Sequence, residues 1–85
     1  MPKIIMYSTA RCPFCVRARR LLDRKGVDYQ EKRIDQDSNL RQQMIDISGQ
    51  YSVPQIFIDD FHVGGFDDMC ILDLAGELDK RLELI

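Results

Sequence analysis

Cys12-Pro13-Phe14-Cys15 stands between the apolar run Ile4-Ile5-Met6-Tyr7 and a stretch in which Cys15, Val16, Ala18, Leu21 and Leu22 recur at helical spacing. The two cysteines thus fall at the first turn of a helix that follows a strand. Three positions apart, they are neighbours on one helix face, roughly 5–6 Å between Cβ atoms. A disulfide needs about 3.5–4.5 Å, so a small adjustment lets the pair close and open. Pro13 suits the first helical position, where the missing N–H costs nothing and φ is already helical. That leaves Cys12 as the N-cap. A thiolate there meets unpaired backbone N–H groups and the positive end of the helix dipole, which can lower its pKa from about 8.5 to roughly 3.5–7.5. The pattern predicts Cys12 as a nucleophile and Cys15, one turn inside, as the resolving thiol.

Outward from this motif, Lys3 to Tyr7 reads as a central strand and Ser8 to Arg11 as a polar loop. The first helix runs from Pro13 to Lys25 and stops at Gly26. Val27 to Asp35 suggests a second strand, parallel to the first because a helix intervenes. Ser38 or Asn39 caps a second helix carrying Leu40, Met44, Ile45 and Ile47, closed by Gly49. Gln55 to Asp59 and Phe61 to Gly64 make a hairpin. Gly64-Gly65 ends it, and Asp67 or Asp68 caps a last helical region through Leu84, interrupted at Gly76. The order β-α-β-α-β-β-α contains no repeat, and an α/β chain of this size is expected to be a single domain over residues 1–85.

The 85 residues are 45% hydrophobic with a net charge of −2, enough for one modest core and no general pull towards nucleic acid. The run Arg17, Arg19, Arg20, Arg24, Lys25 reads as a solvated helix face. Apolar runs are too short to span a membrane and no cleavable signal follows Met1, so a cytoplasmic location is expected. In a reducing compartment three cysteines make no structural framework, and a close pair is catalytic or metal-binding.

With these residues in view, the chain resembles the glutaredoxins, close to the small bacterial dithiol type. The likeness rests on four blocks in order: Cys12-Pro13-Phe14-Cys15, Ser52-Val53-Pro54-Gln55-Ile56-Phe57-Ile58-Asp59, His62-Val63-Gly64-Gly65 and Phe66-Asp67-Asp68. It implies a thioredoxin-like fold, a four-stranded mixed sheet in the order 2-1-3-4 flanked by helices, with a cis peptide before Pro54. It further implies a glutathione-dependent thiol–disulfide oxidoreductase that reduces protein–glutathione mixed disulfides and protein disulfides through Cys12 and Cys15. Glutathione is then a co-substrate, with no permanently bound cofactor or metal, and the protein acts as a monomer. The implied glutathione site comprises Phe14, Arg11, Ser52, Val53, Pro54, Gly65, Asp67 and Asp68. In it the Val53 backbone pairs with the cysteinyl part, while the helix start at Asp67 and Asp68 holds the γ-glutamyl end. The chain departs from the family at Phe14, where Tyr is usual, at Ser52, where Thr is usual, and at Thr9, where a base is usual. Arg11 either substitutes for that base or points to solvent, and Gln43 and Gln50 are further candidates for the glycine carboxylate.

Three other readings compete. Cys12, Cys15, Cys70 and His62 are numerically a zinc set, though their spacing matches no finger. A glutathione-assisted iron–sulfur cluster carrier would use Cys12, but Pro13 stiffens the loop against it. A thioredoxin-like reductant recycled by a flavoenzyme would carry a Trp, and the chain has none. Cys70, between Met69 and Ile71, reads as a small buried hydrophobe or else a regulatory thiol. His62 reads as a surface side chain, Phe14 as an apolar rim, and Asp59 and Asp60 as turn residues.

Overall fold

The computed structural model describes residues 2–85, so the start of the expected domain at Met1 lies outside the described residues. Among these the chain forms, in order, β1 (Ile4–Ser8), α1 (Pro13–Lys25), β2 (Gln30–Arg33), α2 (Ser38–Ser48), β3 (Gln55–Ile58), β4 (Phe61–Gly64), α3 (Phe66–Leu74) and α4 (Glu77–Arg81). The sheet order is β2-β1-β3-β4. β1 is parallel to β2 and antiparallel to β3, which pairs antiparallel with β4. The architecture is the one the resemblance implies.

The period of two along the strands divides the core between the sheet's faces. Ile4, Met6, Ile56 and Ile58 point to the side where Ala18, Leu21 and Leu22 of α1, Met69 of α3 and Leu78 of α4 close over them. Tyr7 and Phe57 point the other way, onto Met44 of α2 and Ile34. Lys25 at the end of α1 forms ion pairs with Asp73 and Asp79 at 2.7 Å each, tying that helix to α3 and α4.

Several boundaries differ from expectation. The second strand is only Gln30–Arg33; Val27 and Tyr29 precede it and pack into the core instead. The cap of α2 is Asp37, not Ser38 or Asn39: Asp37 is extended and its carboxylate accepts the Asn39 N–H at 2.9 Å, while Ser38 already lies inside the helix. The last helical region divides at Gly76 (φ 76°), as expected, but ends at Arg81. Its cap is Gly65, with Asp67 and Asp68 in the first turn of α3 rather than ahead of it.

Candidate active site

Cys12 is the N-cap of α1, in extended conformation, with Pro13 as the first helical residue. Its Sγ accepts the Cys15 N–H at 3.4 Å, one of the donors a helix start leaves unpaired. From the other side the Cys12 thiol donates to the Val53 carbonyl at 3.5 Å. The Val53–Pro54 peptide is cis, as the resemblance implies. Cys12 is half-buried and Cys15 fully buried, and both are free thiols. Burial pushes the Cys15 thiol up to about 12, against a backbone hydrogen bond from Thr9 that works in the opposite direction. The two sulfurs are therefore chemically unequal: one faces solvent and a helix start, the other stays protonated inside.

The loop ahead of Cys12 is held from behind. Arg19, one turn beyond Cys15, donates to the Thr9 carbonyl at 3.2 Å and to Glu31 of β2 at 2.7 Å. Glu31 also accepts from the buried Ser8 hydroxyl at 2.5 Å. The Arg19 guanidinium, and secondarily Ser8, hold the Glu31 carboxyl below its ordinary range although burial opposes them. The Ala10 N–H donates to Asp35 at 3.2 Å, and Asp35 in turn takes both arms of Arg33. Arg19 is thus not part of a solvated face, as the sequence suggested. It is half-buried, and so is Lys25; Arg17, Arg20 and Arg24 are the exposed members of that run.

Beside the cysteines lies a groove of about 530 Å³ lined by Phe14, Ser52, Val53, Pro54, Gly65, Asp67 and Asp68, together with Gln50, Gln55, His62, Val63, Gly64 and Phe66. Phe14 is 46% exposed and tilts toward Phe66, ring centroids 6.4 Å apart. Gln55 donates to the Ser52 carbonyl at 3.1 Å, and its Oε1 lies 2.7 Å from His62 Nε2. The His62 ring stacks on Phe57 at 4.7 Å. His62 is consequently a half-buried wall of the groove and not a free surface side chain. Gly64 has φ 108°, and a Cβ there would run into the Asp68 carboxylate. That carboxylate accepts the Gly65 N–H at 2.9 Å.

Every residue expected at the glutathione site except Arg11 lines this groove. Arg11 is exposed in the turn before Cys12 and does not line it. Gln43 is also elsewhere, accepting from the Tyr7 hydroxyl at 2.6 Å and from Lys32 at 3.1 Å. Sequence reasoning missed Gln55, Phe66 and Arg19. The first two lie within the motif blocks, directly after Pro54 and Gly65, and an aromatic directly after a Gly-Gly turn was an available signal. Nothing local marks Arg19, whose partners lie on other elements. Cys70 is half-buried rather than core, its thiol raised by burial and by Asp67 and Asp73. No three His, Cys, Asp or Glu side chains among the described residues converge as metal ligands, so the Cys12, Cys15, Cys70, His62 set is not assembled.

A two-thiol exchange site at a helix start, opposite a cis proline and beside a concave groove, defines a thiol–disulfide oxidoreductase of the thioredoxin-like fold. A family model described as glutaredoxin matches residues 4–63. The chain is 49% identical over 82 residues to a glutaredoxin of Pseudomonas aeruginosa, spanning 96% of this chain and 98% of that one. It is 47% identical over 83 residues to glutaredoxin 3 of Escherichia coli K12, spanning 98% and 100%. Among solved structures it superposes on the buckwheat glutaredoxin–glutathione complex with a TM-score of 0.89 and 29% identity, covering 96% of this chain and 77% of that one. The chain belongs to the glutaredoxin family and is a glutathione-dependent thiol–disulfide oxidoreductase. No helix among the described residues is long and apolar enough to cross a membrane.

Proposed function

We propose that Cys12 is the nucleophile and Cys15 the resolving thiol in the reduction of glutathionylated proteins and protein disulfides. The observation that carries the assignment is the inequality of the two sulfurs. Cys12 receives a helix-start N–H and borders solvent, while burial holds Cys15 as a thiol up to about 12. Cys12 thiolate attacks the glutathione sulfur of a mixed disulfide. A Cys12–glutathione disulfide bond forms, the bond between the glutathione sulfur and the protein's sulfur breaks, and the protein leaves as a thiolate that takes a proton from water. The thiolate of a second glutathione then attacks the glutathione sulfur on Cys12, giving glutathione disulfide and regenerating the Cys12 thiolate. With a protein disulfide, Cys12 attacks first. Cys15 then bonds to Cys12 as its proton passes to the departing protein sulfur, and two glutathiones reduce the resulting internal disulfide.

Glutathione lies in the groove with its cysteinyl part against the Val53 backbone, beside Pro54 and Ser52, and its γ-glutamyl carboxylate at the backbone of Gly65, Asp67 and Asp68. Phe14 forms the apolar rim. We assign the glycine carboxylate to Gln50 rather than Arg11, because Gln50 lines the groove and Arg11 does not. The chain works as a single-domain monomer over residues 1–85, in the cytoplasm, where a reducing poise keeps both thiols reduced, and without a permanently bound cofactor. The deciding assay is NADPH consumption with glutathione and glutathione reductase, set against thioredoxin reductase alone. Turnover with the first system and none with the second is expected. Equal turnover with thioredoxin reductase refutes the assignment.

A further inference from the structure

Arg17, Arg20 and Arg24 lie on one stripe of α1 at helical spacing, all exposed, and none forms an ion pair among the described residues. Every other cation of α1 is committed: Arg19 to Glu31 and Lys25 to Asp73 and Asp79. With Phe66 and a single acid, Asp23, the three arginines line a second depression of about 560 Å³. This basic shelf is unusual in a chain of net charge −2. It is also continuous with the active site. Arg17 sits 5.4 Å over the Phe14 ring, Phe14 leans on Phe66, and Phe66 lines both depressions.

Resting on the reading that the first groove holds glutathione, the geometry points to α1 as the docking surface for the protein half of a mixed disulfide. We propose that the preferred partner carries an acidic segment close to its reactive cysteine. Glutathione occupies the flank bounded by Val53, Gly65 and Asp68, so the other half of the disulfide must leave by a different side. The α3 flank is acidic at Asp67 and Asp68 and repels an anionic segment; the α1 flank is basic and attracts one. Arg17 stands about 8 Å and Arg24 about 18 Å along the axis from Cys12, at about 1.5 Å per residue. An extended chain covers that span in about five or six residues at roughly 3.3 Å each. Asp or Glu two to six positions from the glutathionylated cysteine is therefore the recognition feature.

The test compares two glutathionylated peptides, identical except for three Asp or three Lys within six positions of the cysteine, on the unaltered protein and on the Arg20→Glu/Arg24→Glu variant. The mixed disulfide of glutathione and 2-mercaptoethanol serves as a substrate too small to reach α1. Exposed charge pairs are individually weak, so the unaltered protein should favour the acidic peptide by about tenfold in kcat/KM at low salt. The preference should shrink as salt shortens the screening length to below about 10 Å. The variant should lose or invert the preference while its turnover of the small mixed disulfide stays within twofold, and Arg20→Lys/Arg24→Lys should keep it. An unchanged preference in the Glu variant overturns the proposal, as does tighter competition by single-stranded DNA than by the acidic peptide. A parallel loss on the small substrate also overturns it, because the arginines would then serve the catalytic site. Failure of the unaltered protein to turn over the small mixed disulfide with glutathione would instead refute the assigned roles of the groove.

Discussion

Gly64→Ala should be more damaging than any other glycine substitution in a left-handed position, and for a reason that couples stability to glutathione use. At φ 108° an L side chain is strained, at about 1–2 kcal/mol. The added Cβ would meet the Asp68 carboxylate and displace it from the Gly65 N–H that it accepts at 2.9 Å. Losing that helix-start bond costs about 1 kcal/mol more. The sum, about 2–3 kcal/mol, corresponds to a fall in Tm of roughly 10–25 °C for a domain of this size. It leaves the protein folded at 25 °C, since total stability is of order 4–13 kcal/mol. Gly26→Ala is the control. Its φ of 73° brings similar strain, but a Cβ there has nothing within 4 Å, so only about 1–2 kcal/mol should be lost. Thermal unfolding of both variants, with KM for a glutathione mixed disulfide, separates the contributions. Gly64→Ala should raise KM severalfold and Gly26→Ala should not. In the double variant Gly64→Ala/Asp68→Ala, removing the carboxylate relieves the clash, so the loss should be smaller than the sum of the two single losses. Equal Tm losses for the two glycine variants, or additivity in the double, would refute the reasoning.

Cys12→Ser should abolish exchange in the NADPH-coupled assay, whereas Cys15→Ser should retain deglutathionylation and lose most protein-disulfide reduction; equal loss of both activities in folded Cys15→Ser would contradict the division of roles. With Cys15 raised from an ordinary 9.0 to about 12, its thiolate is about a thousandfold scarcer near neutral pH, so iodoacetamide mapped by mass spectrometry should modify Cys12 long before Cys15. The same shift stabilises the fold fully below pH 9 and is lost as pH rises from 9 towards about 12, so Cys15→Ala should flatten the alkaline fall in Tm. Glu31→Gln removes the anion that Arg19 and Ser8 bind and should cost about 1–2 kcal/mol after allowance for its partial exposure. Because the folded carboxyl is depressed, that stabilisation is present above its ordinary range near pH 4.3 and disappears as pH falls below it, so the variant should lose part of the acid dependence of Tm.

The features legible in the sequence are those whose cause lies within a turn or two of the chain. Cys12 as N-cap, Pro13 as first helical residue, the stop at Gly26 and the break at Gly76 each depend on local backbone geometry, and each is as read. The caps at Asp37 and Gly65 were misplaced by one to three positions because several polar residues in each loop could cap, and packing selects among them. The strand order and the residues of the groove were reached through four motif blocks resembling one family, not through periodicity. Arg11 and Gln43 show where that route ends: identity and spacing made them candidates, and the fold directs one to an exposed turn and the other to the Tyr7 hydroxyl.

By itself, then, the chain determined the order of elements and the dithiol helix start, because hydrogen bonds and dihedral preferences act between near neighbours. Only the tertiary structure decided that the Val53 carbonyl meets Cys12, that Phe66 stands opposite Phe14, and that Arg19 holds the loop ahead of Cys12 while Arg20 and Arg24 have no ion-pair partner among the described residues. It alone made Cys15 a buried thiol at about 12. Those outcomes depend on burial and on charges brought together from distant segments, and neither exists until the sheet and helices close around them.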